Sequence, residues 1–196
     1  MNAGLSVSVP RPPCFLAKTI LLPCATVLLI LAMPASAAAQ DIDRLLIVAV
    51  LDGDSIRLRR HNGERFELRL AAIDAPEQAQ RFSDSSRHHL IDLMRDCTPH
   101  VLSSKRDRFY RQVGTLTCTP TKGEPFDVGL AQVAAGMAWH FSRYAGEQEF
   151  SQRRAYADAQ QRARQRGIGL WADAAPLPPW EYRRTHASQA RKLRKY

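Results

Sequence analysis

Residues 48–77 read VAVLDGDSIRLRRHNGERFELRLAAIDAPE, and this stretch decides the fold. Apolar and charged positions alternate along it: Ile56 and Leu58 on one run, Phe66, Leu68 and Leu70 on the next, with Arg57, Arg59, Arg65 and Arg69 between them. A period of two over two adjacent runs predicts a pair of half-buried strands. Asn62-Gly63 joins them, and a two-residue turn there, with positive φ at both positions, sets Asp54 opposite Ala71. Asp74 lies three positions further on, roughly 10 Å of extended chain, so the curve of a barrel rim can carry it to the end of the hairpin where Asp54 sits.

Ala75-Pro76 is a turn signal that lifts Glu77 off the strand. The residue before a proline is held extended, so the Ala75 carbonyl is expected to point outward. Two carboxylates and a free carbonyl form an all-oxygen half-shell, which suits a hard divalent cation such as calcium. The alternative is that these acids cap turns and pair with neighbouring arginines on the surface.

Five short strings occur in order: Asp52-Gly53-Asp54-Ser55 with Arg69; Ile73 to Glu77; Asp107 to Arg111; Gly136-Met137-Ala138-Trp139; and Gly167 to Trp171. In these strings and their spacing the chain resembles the staphylococcal nuclease-like, or thermonuclease, domain family over nearly all of residues 40–175. The resemblance implies an α+β fold, a five-stranded OB-type β-barrel with three α-helices. It also implies calcium-dependent hydrolysis of phosphodiesters in DNA and RNA. Carried over by position, Asp54 and Asp74 would bind calcium through their side chains and Ala75 through its carbonyl. Arg69 and Arg111 would hold the scissile phosphate, and Glu77 would orient or deprotonate the attacking water. The chemistry is consistent with those residue types, because in-line attack builds charge on the non-bridging oxygens, and a cation with two forked guanidiniums neutralises it there. Magnesium or manganese are possible substitutes where few protein ligands leave room for water.

Two positions depart from the family pattern. Ala75 stands where the type member commonly has threonine, which removes a hydroxyl but keeps the carbonyl. Tyr110 stands where the family usually has glycine, two residues after Arg108, and would be strained if that backbone needs positive φ.

The formal net charge is +9 over 196 residues. Residues 1–40 hold Arg11 and Lys18 and no acid, so the remainder carries +7. That balance favours a polyanionic partner such as nucleic acid, and it also serves solubility. The positive charges of the first 18 residues, the apolar run Thr19 to Met33 and the small residues Pro34 to Ala39 predict a secretory signal peptide over 1–39, cleaved after Ala37 or Ala39. Export then makes the two remaining cysteines, Cys97 and Cys118, a plausible disulfide between the end of a first helix and a neighbouring strand; two buried thiols are the alternative.

Ser83 to Asp96 reads as a helix with Leu90, Ile91, Leu93 and Met94 inward. Asp127 caps a second helix ending at Gly136, and Glu147 to Arg166 forms a third, stopped by Gly167. Trp139 and Phe141 are candidates to stack on bases, although such residues are more often core, while Trp171 reads as packing. The six histidines match no metal motif. Residues 176–196 read as a Pro-rich then basic tail. The reading of the whole is a monomeric, secreted or periplasmic endonuclease with DNA and RNA as substrate and no stable membrane insertion after signal cleavage. The competing readings are a noncatalytic OB-fold nucleic-acid-binding module and an envelope-attached structural protein that uses its basic tail.

Overall fold

The computed structural model describes residues 45–193, with side chains described over 45–186. The signal-peptide expectation for 1–39 lies outside the described residues. Strands β1 (Leu46–Val50), β2 (Ser55–Arg59) and β3 (Arg65–Leu70) form an antiparallel meander. The hairpin differs from its expected register by one residue. Ile56 pairs with Leu68 and Leu58 with Phe66, and it is Leu70 whose N–H donates to the Asp54 carbonyl at 2.7 Å. The cause is a longer turn: Arg60 bonds Glu64 at 2.8 Å around residues 61–63, and of the pair Asn62-Gly63 only Gly63 takes positive φ, 87°. A two-residue turn would have set Ile56 against Arg69, whereas the observed register puts Ile56, Leu58, Leu68 and Leu70 on one buried face.

Helix α1 (Ser83–Met94) buries Leu90 and Met94 beneath this sheet, with Ile91 and Leu93 partly buried beside them. β5 (Cys97–Arg106) and β6 (Gln112–Pro120) then form a long hairpin, and β6 runs parallel to β3. The five strands follow the order β1-β2-β3-β6-β5, and the two-residue β7 (Phe126–Asp127) adds to β6. Among the described residues no ladder joins β5 to β1, so the OB-type barrel is left open at that seam. Cys97 and Cys118 form the disulfide, with Cα atoms 5.4 Å apart. Cys97 begins β5 instead of ending a helix, and Cys118 lies opposite Pro99, so the bridge joins two neighbouring strands.

Asp127 caps α2 (Val128–Ala134), its carboxylate accepting from the Leu130 N–H at 3.1 Å. α3 (Phe150–Arg166) starts later than its expected Glu147, because residues Ser142–Glu147 wind as a 3-10 helix and Gln148 is extended. The motifs around Gly136 and Gly169 clasp each other. Both glycines have positive φ, Leu170 donates to the Gly136 carbonyl at 2.8 Å, and a Cβ on Gly169 would stand 2.2 Å from that same carbonyl oxygen. The clasp seats β8 (Trp139–His140), which pairs with β4 (Ile73–Asp74) and places Asp74 opposite Trp139.

A fourth helix, α4 (Pro179–Leu193), replaces the expected tail. Pro179 opens it, where a missing N–H costs nothing, and its buried ring anchors the turn. No described helix is long and apolar enough to cross a membrane.

Candidate active site

The bend between β1 and β2 delivers Asp54. Asp52 accepts the Asp54 N–H at 2.9 Å, and Gln132 of α2 donates to the Gly53 carbonyl at 2.7 Å and the Ser86 carbonyl at 3.1 Å. Gly53 has no room for a side chain, since its Cβ would meet Ser86 Oγ at 1.9 Å. Packing against α1 and α2 thus fixes the turn, and Asp54 is only 2% exposed.

Asp74 arrives by a different route. After β3 the chain turns at Ala72, whose φ of 63° is unusual for a residue with a Cβ, and Phe141 N–H holds the Ala72 carbonyl at 2.8 Å. β4 then brings Asp74 in, fully buried. Arg69, from β3, joins the two acids: Nη1 donates to Asp54 Oδ1 at 2.5 Å and Nη2 to Asp74 Oδ1 at 2.6 Å. The Ala75 N–H donates to Asp54 Oδ2 at 2.8 Å. Burial pushes the Asp54 carboxyl up to about 7, outweighing the pull of Arg69, with Asp52 and Asp74 adding to the rise. Burial works to lower Arg69, but the two carboxylates hold it above its ordinary value.

Glu77 follows the Ala75-Pro76 turn, with its side chain 38% exposed. Together Asp54, Arg69 and Glu77 line an open cleft of about 1260 Å³. Arg111 lines the same cleft, from the tip of the β5–β6 hairpin. Tyr110 there does take positive φ, 61°, as the glycine it replaces would. The loop is tied by Asp107, whose carboxylate accepts from the Phe109 and Arg111 N–H groups and from Arg111 Nε at 2.9 Å. Phe141 also lines the cleft. Trp139 is buried, with rings of Trp171 and Trp180 at 4.3 and 5.5 Å, and does not line it.

Sequence reasoning missed Arg183. From α4 its Nη2 donates to Asp74 Oδ2 at 2.7 Å, and its Nη1 to Glu77 Oε1 at 2.5 Å and to Asp74 Oδ1 at 3.2 Å. Hydrogen bonds to Asp74 first, and to Glu77, raise its guanidinium above the ordinary arginine value. Trp180, one turn earlier, stacks on Phe141 with centroids 5.2 Å apart. The usable signal was Pro179 at a helix start with Trp180 and Arg183 spaced to share a face.

The donor set fits a hard cation. Asp54 and Asp74 offer oxygen only, and the guanidinium already lodged against Asp74 and Glu77 shows that the pocket accepts positive charge. Among the described residues no group of three or more histidine, cysteine, aspartate or glutamate side chains is placed to hold a metal ion by itself.

The profile of the staphylococcal nuclease homologue family matches residues 67–173. The chain is 30% identical over 159 residues to an uncharacterized endonuclease of Haemophilus influenzae, covering 81% of this chain and 83% of that protein. It is 34% identical over 164 residues to a micrococcal nuclease of Shigella flexneri, covering 82% and 89% respectively. An uncharacterized endonuclease of Escherichia coli O157:H7 is 33% identical over 137 residues, covering 70% of this chain and 82% of its own.

Proposed function

We propose that this chain, which belongs to the staphylococcal nuclease family, is a secreted or periplasmic endonuclease that hydrolyses phosphodiester bonds of DNA and RNA with calcium as its cofactor. The observation that carries the reading is that Arg69, on the wall of the cleft that Asp54, Glu77 and Arg111 also line, grips both Asp54 and the buried Asp74. The side chains of Asp54 and Asp74 and the carbonyl of Ala75 would hold the cation, with magnesium or manganese as possible substitutes. When bound, calcium supplies positive charge against the phosphate where negative charge grows.

The residues divide the remaining work. Arg69, already fixed by the core, offers a planar fork to the non-bridging oxygens, and Arg111 offers a second from the tip of the β5–β6 hairpin. Glu77 accepts a hydrogen bond from the attacking water, aligns it, and takes its proton as the new phosphorus–oxygen bond forms and the bond to the leaving sugar oxygen breaks. Arg87, Arg106, Arg108 and Arg143 around the cleft attract a polyanion without reading its sequence. The Cys97–Cys118 bridge is the kind of cross-link that persists in an oxidising compartment, which supports export.

The test is cleavage of single-stranded DNA by the purified chain, in calcium or in chelator, beside Glu77→Ala. Activity should vanish with chelator and fall by about 10²- to 10⁴-fold in the variant, the range for a lost general base. DNA that is bound but left intact in calcium, magnesium and manganese alike would make the chain a binding module instead.

A further inference from the structure

The contacts of α4 fall on the two parts of the site that substrate and cofactor need. Arg183 takes both oxygens of Asp74 and one of Glu77, and Trp180 covers a face of Phe141. The arrangement is anchored, since the Leu177 carbonyl accepts from Gln80 Nε2 at 2.5 Å and Trp180 packs edge-on against Trp139. The family profile matches residues 67–173, and this helix lies beyond that stretch.

Asp74 is fully buried, so its oxygens can be reached only through their present partners. Oδ1 is shared by Arg69 and Arg183, and Oδ2 accepts from Arg183 at 2.7 Å. A calcium ion would sit roughly 2.3–2.6 Å from whichever oxygen it ligates. A guanidinium nitrogen and a cation cannot both occupy that approach to Oδ2, because they would overlap and repel. Nor can Glu77 turn freely toward a water while the same guanidinium holds it.

We infer that Arg183 is a resident counter-cation of the site: it competes with the divalent cation for Asp74 and holds Glu77 in check, so cation binding requires α4 to release both. The inference rests on reading Asp54 and Asp74 as the cation ligands. Arg183 is thereby a positioning residue, acting on the cation's ligand and on the water-orienting carboxylate. In the apo protein its charge also joins Arg69 in offsetting the crowding of Asp52, Asp54, Asp74 and Glu77. An exported nuclease built this way stays latched where free calcium is scarce and opens where it is plentiful.

The test is calorimetric titration of calcium into the full chain, the Arg183→Ala and Arg183→Lys variants, with thermal unfolding run on each. A charge-assisted contact that is partly exposed is worth about a tenfold change in affinity, so Arg183→Ala should bind calcium about tenfold tighter than the parent. Arg183→Lys, with charge but no fork, should fall between them. Folded variants that bind calcium no tighter than the parent would overturn the latch and leave the nuclease reading standing. If neither parent nor variants bind calcium, magnesium or manganese, the cation-ligand reading fails and the latch falls with it.

Discussion

Arg69 and Arg111 line one cleft but are held there by different kinds of structure. Arg69 stands on β3, its side chain 20% exposed, with two buried carboxylates as partners. Arg111 stands at a hairpin tip, its side chain 51% exposed, and is braced by Asp107 four residues earlier. One arginine is aimed by the core and the other by its own loop. The difference matters because a residue aimed by the core couples catalysis to stability, while a loop residue can be lost without the fold noticing.

The largest expected effect breaks this pair apart. Arg69→Ala should lower kcat/KM on single-stranded DNA by about 10³-fold or more, since it removes a fork aimed at the growing charge. It should also destabilise the calcium-free protein by about 3 kcal/mol, because Asp54 and Asp74 are left buried without their shared guanidinium. Arg111→Ala should cost roughly 10²-fold in kcat/KM and leave stability within about 0.5 kcal/mol. Denaturant unfolding beside the kinetics checks both halves. Equal stability losses in the two variants would show that the core does not aim Arg69 differently.

The second effect concerns the buried side alone. Asp54 has its carboxyl raised to about 7, mainly by burial. With a folded value above the unfolded value of about 3.9, its protonated form is the one the fold prefers. Its stabilisation is therefore fully present below about pH 4 and is lost as pH rises through 7. In chelator, stability should fall across that window in the parent, and Asp54→Asn should remove a few kcal/mol of that fall. Matching pH slopes in the two proteins would mean that Arg69 already keeps Asp54 ionised at low pH.

The same contrast explains what could be read from the sequence. The alternation from Ile56 to Leu70 marks the hairpin because burial of one face imposes a period of two, and Asp54, Arg69 and Asp74 then follow at its end. The register slipped by one because Asn62-Gly63 serves equally in a two- and a three-residue turn; pairing Ile56 with Leu68 would have chosen between them. β4 and β8 are two residues each, too short to show a period, and the positive φ of Ala72 that turns the chain into β4 has no residue signature. Arg183 lies 109 positions from Asp74, so long-range contacts such as the docking of Trp180 on Phe141 and Trp139 bring it in, and tertiary contact of that range leaves no local pattern. The open seam between β1 and β5 is likewise a property of assembled strands.

The smallest effect sharpens the loop side of the comparison. Tyr110 is 83% exposed and sits at φ 61°, a conformation its Cβ resists, beside the arginine that the loop aims. Left-handed backbone costs a non-glycine residue roughly 1–2 kcal/mol, whereas glycine returns about 0.4–1 kcal/mol of that through a looser unfolded chain. Tyr110→Gly should therefore stabilise the protein by about 0.5–1 kcal/mol, read as a small rise in Tm. Because Asp107 braces Arg111 through the backbone N–H and Nε, neither of which needs the tyrosine ring, kcat should hold. A fall in kcat with the rise in Tm would mean that the strained tyrosine, and not the aspartate alone, sets the direction of Arg111, and the loop would then depend on a side chain that its backbone disfavours.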